Sequence, residues 1–301
     1  MEFFIQQLTI GLAVGGIYAL IALGYTMVYG VLKLINFAHG DLFTLGAYLG
    51  FTTLVSFALT DKIGTGTAIV VCLVLVMGLS ALAGHIMERA AYRPLRKSGR
   101  LSAVVSALGV SIFLQNAIML IWGAKSLAYP ADLLPQVVVS IAGHPVPLLR
   151  LLLFLFSILV MVALNLFINR TRTGMAIRAS AIDQGAAKLM GIDVRYVVAI
   201  VFMIGPALGG LAGVMVGISY GQITFSMGQL YGLKAFTAAI IGGIGNIPGA
   251  MIGGILLGVV EAFGAAYISA SWKDAITFFV LILILVVRPT GILPERVAEK
   301  L

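Results

Sequence analysis

Charge and cysteine are both scarce in this chain of 301 residues. Only 10% of its positions are Asp, Glu, Lys or Arg, against about 25% in an ordinary soluble domain. Apolar residues make up 61%, with a mean hydropathy of +1.11. A large water-soluble enzyme is excluded, and the chain reads as a membrane protein. The single cysteine, Cys72, rules out an intrachain disulfide and a Cys-x-x-Cys metal or redox site. The three histidines, His39, His85 and His144, fall on different segments, so converging metal ligands are not expected. No Gly-Lys pair occurs, which excludes a P-loop, and Gly242-Gly243-Ile244-Gly245 lacks the last glycine of a dinucleotide fingerprint. If transport uses ATP, another chain carries the ATPase. Met1 to Gln7 lacks Lys and Arg, so the first apolar run is expected to stay as a span rather than act as a signal peptide.

What is present is a series of apolar runs: Phe3–Tyr29, Leu42–Leu59, Thr67–Met87, Leu101–Trp122, Leu148–Ile168, Tyr196–Ile218, Tyr231–Ile247, Pro248–Ile268 and Ala275–Val287. At about 20 residues per span, these predict an all-α polytopic transmembrane bundle of about nine spans (eight to ten), a single domain over 1–301. The glycine-rich stretch from Tyr231 to Ile268 admits either two short spans or half-helices meeting at a buried break. The 19 basic against 11 acidic residues sit beside these runs rather than in one basic stripe, so they read as topology signals and not as a nucleic-acid surface. Arg89, Arg93, Arg96, Lys97 and Arg100 follow the third span, and Arg170, Arg172, Arg178, Lys188 and Arg195 follow the fifth. Arg288, Arg296 and Lys300 are in the tail, while the 123–147 loop carries Lys125 and Asp132 with four prolines. The positive-inside rule then places the N-terminus outside and the C-terminus in the cytoplasm.

Glycine is patterned, with Gly205, Gly209, Gly213, Gly217 and Gly221 four apart, a spacing that lets helix backbones approach closely in lipid. Such faces serve either packing within one bundle or contact with a second subunit. No period of 20 to 50 residues repeats, and spacing alone demonstrates no inverted repeat. Gly217, Ser219 and Gly221 match a nucleophile elbow, but that elbow needs a strand, a turn and a helix, so the match reads as chance.

Polar groups in or beside spans are Asn36, His39, Asp41, Gln115, Asn116, Lys234 and Glu261. An acid or lysine at mid-span costs about 2.5–3.5 kcal/mol, so each needs a bond inside the bundle or a substrate path. Asp41 and Lys234 are expected near interfaces, where snorkelling makes them cheap. Between Arg170 and Arg195 a short amphipathic helix is expected, capped by Thr173, with Met175, Ile182, Ala186 and Leu189 on one face and a stop at Gly191. It lies on the membrane surface or docks into another protein as a lever.

Ala186-Ala187-Lys188-Leu189-Met190-Gly191-Ile192 resembles the loop by which ABC importer permeases engage their ATPases, with Gly185 where the family has glutamate. Further matches follow in order: Gly24 to Gly30, Asn36 to Asp41, Tyr92 to Arg96, Ser111 to Asn116, Lys234 to Ala239, Gly242 to Ala250 and Arg288 to Leu293. Over essentially its whole length the chain is similar to the permeases of branched-chain amino acid and urea ABC importers. The resemblance implies a transport subunit and not an enzyme, paired in the inner membrane with a second homologous permease. Two ATPase subunits would use ATP and Mg2+, no cofactor would be bound by this chain, and an extracytoplasmic binding protein would deliver leucine, isoleucine or valine. It assigns coupling to Gly174, Arg178, Ala186, Ala187, Lys188 and Gly191 within a cytoplasmic loop, 170–195. Polarity makes Asn36, His39, Gln115 and Asn116 candidates for the path. The alternatives are a urea or amide permease of the same family, and a stand-alone channel or secondary carrier.

Overall fold

The computed structural model describes residues 2–97, 99–130, 137–141 and 144–293. Twelve helices make up nearly all of it: α1 (Glu2–Leu32), α2 (His39–Phe51), α3 (Leu59–Ile63), α4 (Thr65–Met87), α5 (Arg100–Trp122), α6 (Leu148–Arg170), α7 (Arg172–Ile182), α8 (Gln184–Leu189), α9 (Val194–Tyr220), α10 (Met227–Gly242), α11 (Ile247–Tyr267) and α12 (Lys273–Val287). Two small antiparallel pairs stand at one end of the bundle, β1 (Leu127–Ala128) with β4 (Gln222–Ile223) and β2 (Val138–Ile141) with β3 (His144–Pro147).

Among the described residues, seven helices are long and apolar enough to cross a bilayer: α1, α4, α5, α6, α9, α11 and α12, the last counted with the turn before it. The other two expected spans are α2 and α10, with 13 and 16 residues. At 1.5 Å per residue they reach about 20 and 24 Å, and although α2 runs on through a π-helical turn, Thr52–Ser56, both stay short of a hydrocarbon core of about 30 Å. The chain is a multi-pass membrane protein whose α10 and α11 form a hairpin, Gly242 against Gly249 and Ala238 against Gly253. Neither reading open for Tyr231–Ile268 holds as stated: α11 is long enough to span, while α10 is not.

Interhelical glycine contacts fix the directions. The α1–α11 pair is antiparallel, Gly11 lying beside Ala262 and Ala19 beside Gly254. The α4–α9 pair is also antiparallel, Gly84 beside Phe202 and Ser80 beside Gly210. Helix α2 runs with α9 (Gly46 by Gly210, Gly50 by Val214) and against α10 (Thr44 by Gly228, Gly40 by Gly232). The units α1-α2-α4-α5 and α9-α10-α11-α12 therefore repeat each other upside down. Each supplies one deeply buried long helix, α1 or α9, and one of the least buried, α5 or α12.

The sequence carries the repeat where the two units touch. Phe37-Ala38-His39-Gly40-Asp41-Leu42-Phe43-Thr44-Leu45-Gly46-Ala47-Tyr48 aligns without gaps to Phe225-Ser226-Met227-Gly228-Gln229-Leu230-Tyr231-Gly232-Leu233-Lys234-Ala235-Phe236. A Cβ on Gly40 would overlap the Gly228 carbonyl, and one on Gly228 would overlap the Gly40 carbonyl. Since His39 lies against Gly209, near the middle of α9, both short helices begin close to the centre of the bundle. The segments before them, 33–38 and 221–226, lead from the ends of α1 and α9 to that depth, the second through β4, and their inner parts are irregular backbone tolerated because protein surrounds it.

The first turn of α9, the last turns of α4 and α6, and all of α7 and α8 share one face. There Arg89, Arg93, Arg170, Arg172, Arg178, Lys188 and Arg195 collect. The side chains of Arg96, Lys97 and Arg100, and residues Asp132, Arg296 and Lys300 altogether, lie outside the described residues. On the opposite face Tyr129 fills the space left by Gly50 and Gly217 and donates to the Ala47 carbonyl at 2.7 Å. Burial pushes its hydroxyl well above the usual phenol range, so it stays a proton donor.

Candidate functional site

Two places hold the residues singled out by sequence. The first is the connection between α6 and α9. Thr171, not Thr173, caps α7 by accepting from the Gly174 N–H at 3.0 Å. Gly174 is pressed on the Phe167 and Ile168 carbonyls, where any Cβ would overlap backbone. Arg178 folds back to donate to the Ile168 carbonyl and, at 3.2 Å, to Asn169 Oδ1. It therefore closes the C-terminal end of α6, where a cation also suits the helix dipole.

The expected single amphipathic helix is two helices. Asp183 takes an extended conformation (φ −151°, ψ 111°) and accepts from the Gly185 and Ala186 N–H groups at 2.7 and 3.1 Å, starting α8 afresh. The stripe of Met175, Ile182, Ala186 and Leu189 is exposed on both helices and turned away from the bundle. Gly174, Ile177, Ser180 and Ala187 are the buried positions, while Met175 and Ile182 are exposed. At the tip Leu189 and Met190 are 91% and 82% exposed. Gly191 ends the helix with φ +83°, as a C′ glycine should, and Lys188 and Ala186 are exposed beside it. Gln184 Nε2 donates to the Val31 carbonyl at 2.7 Å, tying this unit to the end of α1.

The second place is the bundle centre. Asn36 is buried, and its Oδ1 accepts from the Ala38 N–H (3.1 Å) and the Tyr92 hydroxyl (2.8 Å). His39 is fully buried, its Nε2 3.2 Å from the Ile21 carbonyl and its ring edge-on to Tyr25. That carbonyl makes Nε2 the protonated nitrogen. Gln115 is half-buried and donates from Nε2 to Asp41 Oδ1 at 2.9 Å, and Gln229 Nε2 lies 3.4 Å from Gln115 Oε1. Asn116 is exposed and bonds the Ile112 carbonyl of its own helix. Gln115 thus joins the α2 and α10 starts, with Asn116 beside it, while Asn36 and His39 sit among side chains deeper in.

Asp41 and Lys234 are not at interfaces as expected; both are buried. Lys234 Nζ lies 2.8 Å from Glu261 Oε1 and 2.6 Å from Asp274 Oδ1. Tyr18 donates to Glu261 Oε2 at 2.9 Å, and Lys273 Nζ stands 4.0 Å from Oε1. Charge offsets charge, so the group is affordable at depth. Tyr18 and Asp274 escaped sequence reading; their only signal was a tyrosine and an acid in register with runs that are distant in the chain. Asp41 differs, being held by the neutral Gln115 amide and Ser111 hydroxyl. Ser219 lies within α9 and Gly221 is its left-handed C-cap, so no strand leads into that Gly-x-Ser-x-Gly match.

Residues 7–285 match the family described as branched-chain amino acid transport system, permease component. Over 99% of its length the chain is 46% identical to the high-affinity branched-chain amino acid transport system permease protein BraD of Pseudomonas aeruginosa, covering 98% of that protein. It is 44% identical to the permease protein LivH of Escherichia coli K12, with the same coverage of 99% and 98%. A probable LivH of Methanocaldococcus jannaschii is 28% identical over 91% of this chain and 87% of that one.

Proposed function

The chain belongs to the permease components of branched-chain amino acid transport systems, and on that premise we propose that it builds the membrane path of an ATP-driven importer for leucine, isoleucine and valine. As a transport component it is not an enzyme. A second, homologous permease subunit completes the path, and two ATPase subunits dock on the α7–α8 face. An extracytoplasmic binding protein delivers the amino acid to the opposite face. ATP and Mg2+ belong to the ATPases. The protein sits in the inner membrane with its N-terminus outside and its C-terminus in the cytoplasm, an orientation supported by the basic residues collected on the α7–α8 face.

The observation that carries this reading is the bare tip of α8. Leucine and methionine exposed to 91% and 82%, on a basic loop beyond the helix ends, form a knob suited to a protein groove. Ala186, Lys188 and Gly191 shape the knob, and Gly174, Arg178 and Ala187 fix it to the bundle. Because Gln184 holds α1 and Gly174 holds α6, a push on the knob moves both helices together. Such coupling needs different contacts in the two states of the ATPase pair. Asn36, His39, Gln115 and Asn116 line or brace the path.

The test is gentle purification of the tagged chain from its native membrane, with ATP hydrolysis measured in the presence of leucine-loaded binding protein. Two ATPases and a second permease, with hydrolysis stimulated by leucine, are expected. A lone chain that transports without ATP would overturn the reading.

A further inference from the structure

The two short helices begin with aligned sequences, but the third residue of each differs: Asp41 on α2 and Gln229 on α10. Asp41 is 2% exposed. Its hydrogen-bond partners are the Gln115 amide, 2.9 Å away, and the Ser111 hydroxyl. No ion pair joins it to a cation among the described residues, whereas in the same bundle Lys234 is paired with Glu261 and Asp274, with Lys273 4.0 Å from Glu261. The dipole of α2, about half a unit charge at its N-terminal end, favours an anion at Asp41 without pairing it with a cation.

From Asp41 an amide chain leads outward. Gln115 is half-buried and Gln229 exposed, on helices whose surrounding surface is Ile112, Phe113, Leu230 and Leu233. Lipid cannot satisfy two amides there, so this face meets protein or water. Gln115 Nε2 occupies the place where an ammonium would donate to Asp41.

We propose that Asp41 holds the α-ammonium of the amino acid in transit, the substrate displacing the Gln115 amide, with the Gln115 and Gln229 amides left for its carboxylate. The inference rests on the importer reading above. It adds to that reading the group that recognises a zwitterion inside the membrane, where a carboxylate and an ammonium together are costly unless each finds a partner.

The complete complex in proteoliposomes, supplied with leucine-loaded binding protein, tests it through Asp41→Asn and Asp41→Glu. A charge-assisted hydrogen bond contributes about 1.5–3 kcal/mol, so Asp41→Asn is expected to slow leucine uptake at least about 10-fold. ATPase co-purification and melting temperature are expected to stay at wild-type values, and Asp41→Glu to restore part of the uptake. Uptake by Asp41→Asn within about twofold of wild type would overturn the proposal. So would an uptake loss that comes with a lowered melting temperature and is not rescued by Asp41→Glu, since that marks a structural carboxylate. Wild-type complex that moves no leucine would fail the importer reading itself, a result visible before any variant is made.

Discussion

The two inverted units share a backbone plan and differ in their charges. In the α9–α12 unit, Lys234 is clasped by Glu261 and Asp274, with Tyr18 reaching across from α1. In the α1–α5 unit the position matching Lys234 is Gly46, which touches the α9 backbone. Of the two buried carboxylates there, Glu88 lies 3.6 Å from Arg93 and Asp41 has neutral partners. Where charges close on one another they fasten helices, and such a group has little left to offer a ligand. Where a charge is held by amides that reach the surface, it can exchange partners. The repeat thus supplies the architecture, and its departures from symmetry separate fastening from transport.

The largest effect should come from breaking the closed network. Lys234→Met breaks the buried Lys234–Glu261 pair and leaves Glu261 with Lys273 at 4.0 Å, a loss of about 3–5 kcal/mol for breaking a buried pair. It should appear as a lowered melting temperature in detergent. Adding Glu261→Met should recover part of that loss, and strict additivity of the two changes would show that the residues do not act as a pair.

Next comes the contact between the units. Gly228→Val drives a side chain into the Gly40 carbonyl; about 3 kcal/mol is expected, the upper range for overpacking, because backbone blocks it. The melting temperature checks this as well. An unchanged value would mean that α2 and α10 do not cross there.

Smaller for the fold, though large for assembly, is the α8 knob. Leu189→Asp should weaken ATPase docking by about 2 kcal/mol, roughly 30-fold in affinity, with the melting temperature of the isolated permease unchanged. Gly191→Glu should act similarly and add about 1–2 kcal/mol of strain from its left-handed φ. Normal ATPase recovery with either variant would refute the docking face. Smallest of all, Ser219→Ala should leave uptake at the wild-type rate, because Ser219 is an ordinary helical residue; abolished uptake would revive a nucleophile there.

Much of this was legible beforehand, for definable reasons. Lipid demands long apolar helices, so nine segments could be read from hydropathy, and Gly191 announced itself as a helix stop. Depth was not legible: hydropathy scores composition, and the starts of α2 and α10 at the bundle centre are set by the Gly40–Gly228 contact. The repeat could not be demonstrated from spacing because its two copies lie most of a chain apart. The division of the 170–195 loop into two helices was not legible, because Asp183 takes extended backbone and caps a new helix. Pairing of Lys234 with Glu261 is a tertiary fact, and periodicity within one segment cannot report it.

The central claim is that one unit carries a structural charge network and the other a working carboxylate. The direct measurement is to record melting temperature and leucine uptake for Lys234→Met and Asp41→Asn side by side in the reconstituted complex. The account predicts opposite outcomes: Lys234→Met lowers the melting temperature, while Asp41→Asn keeps it and loses uptake. Two variants that fall together in stability, or an Asp41→Asn complex that imports leucine at the wild-type rate, would contradict it.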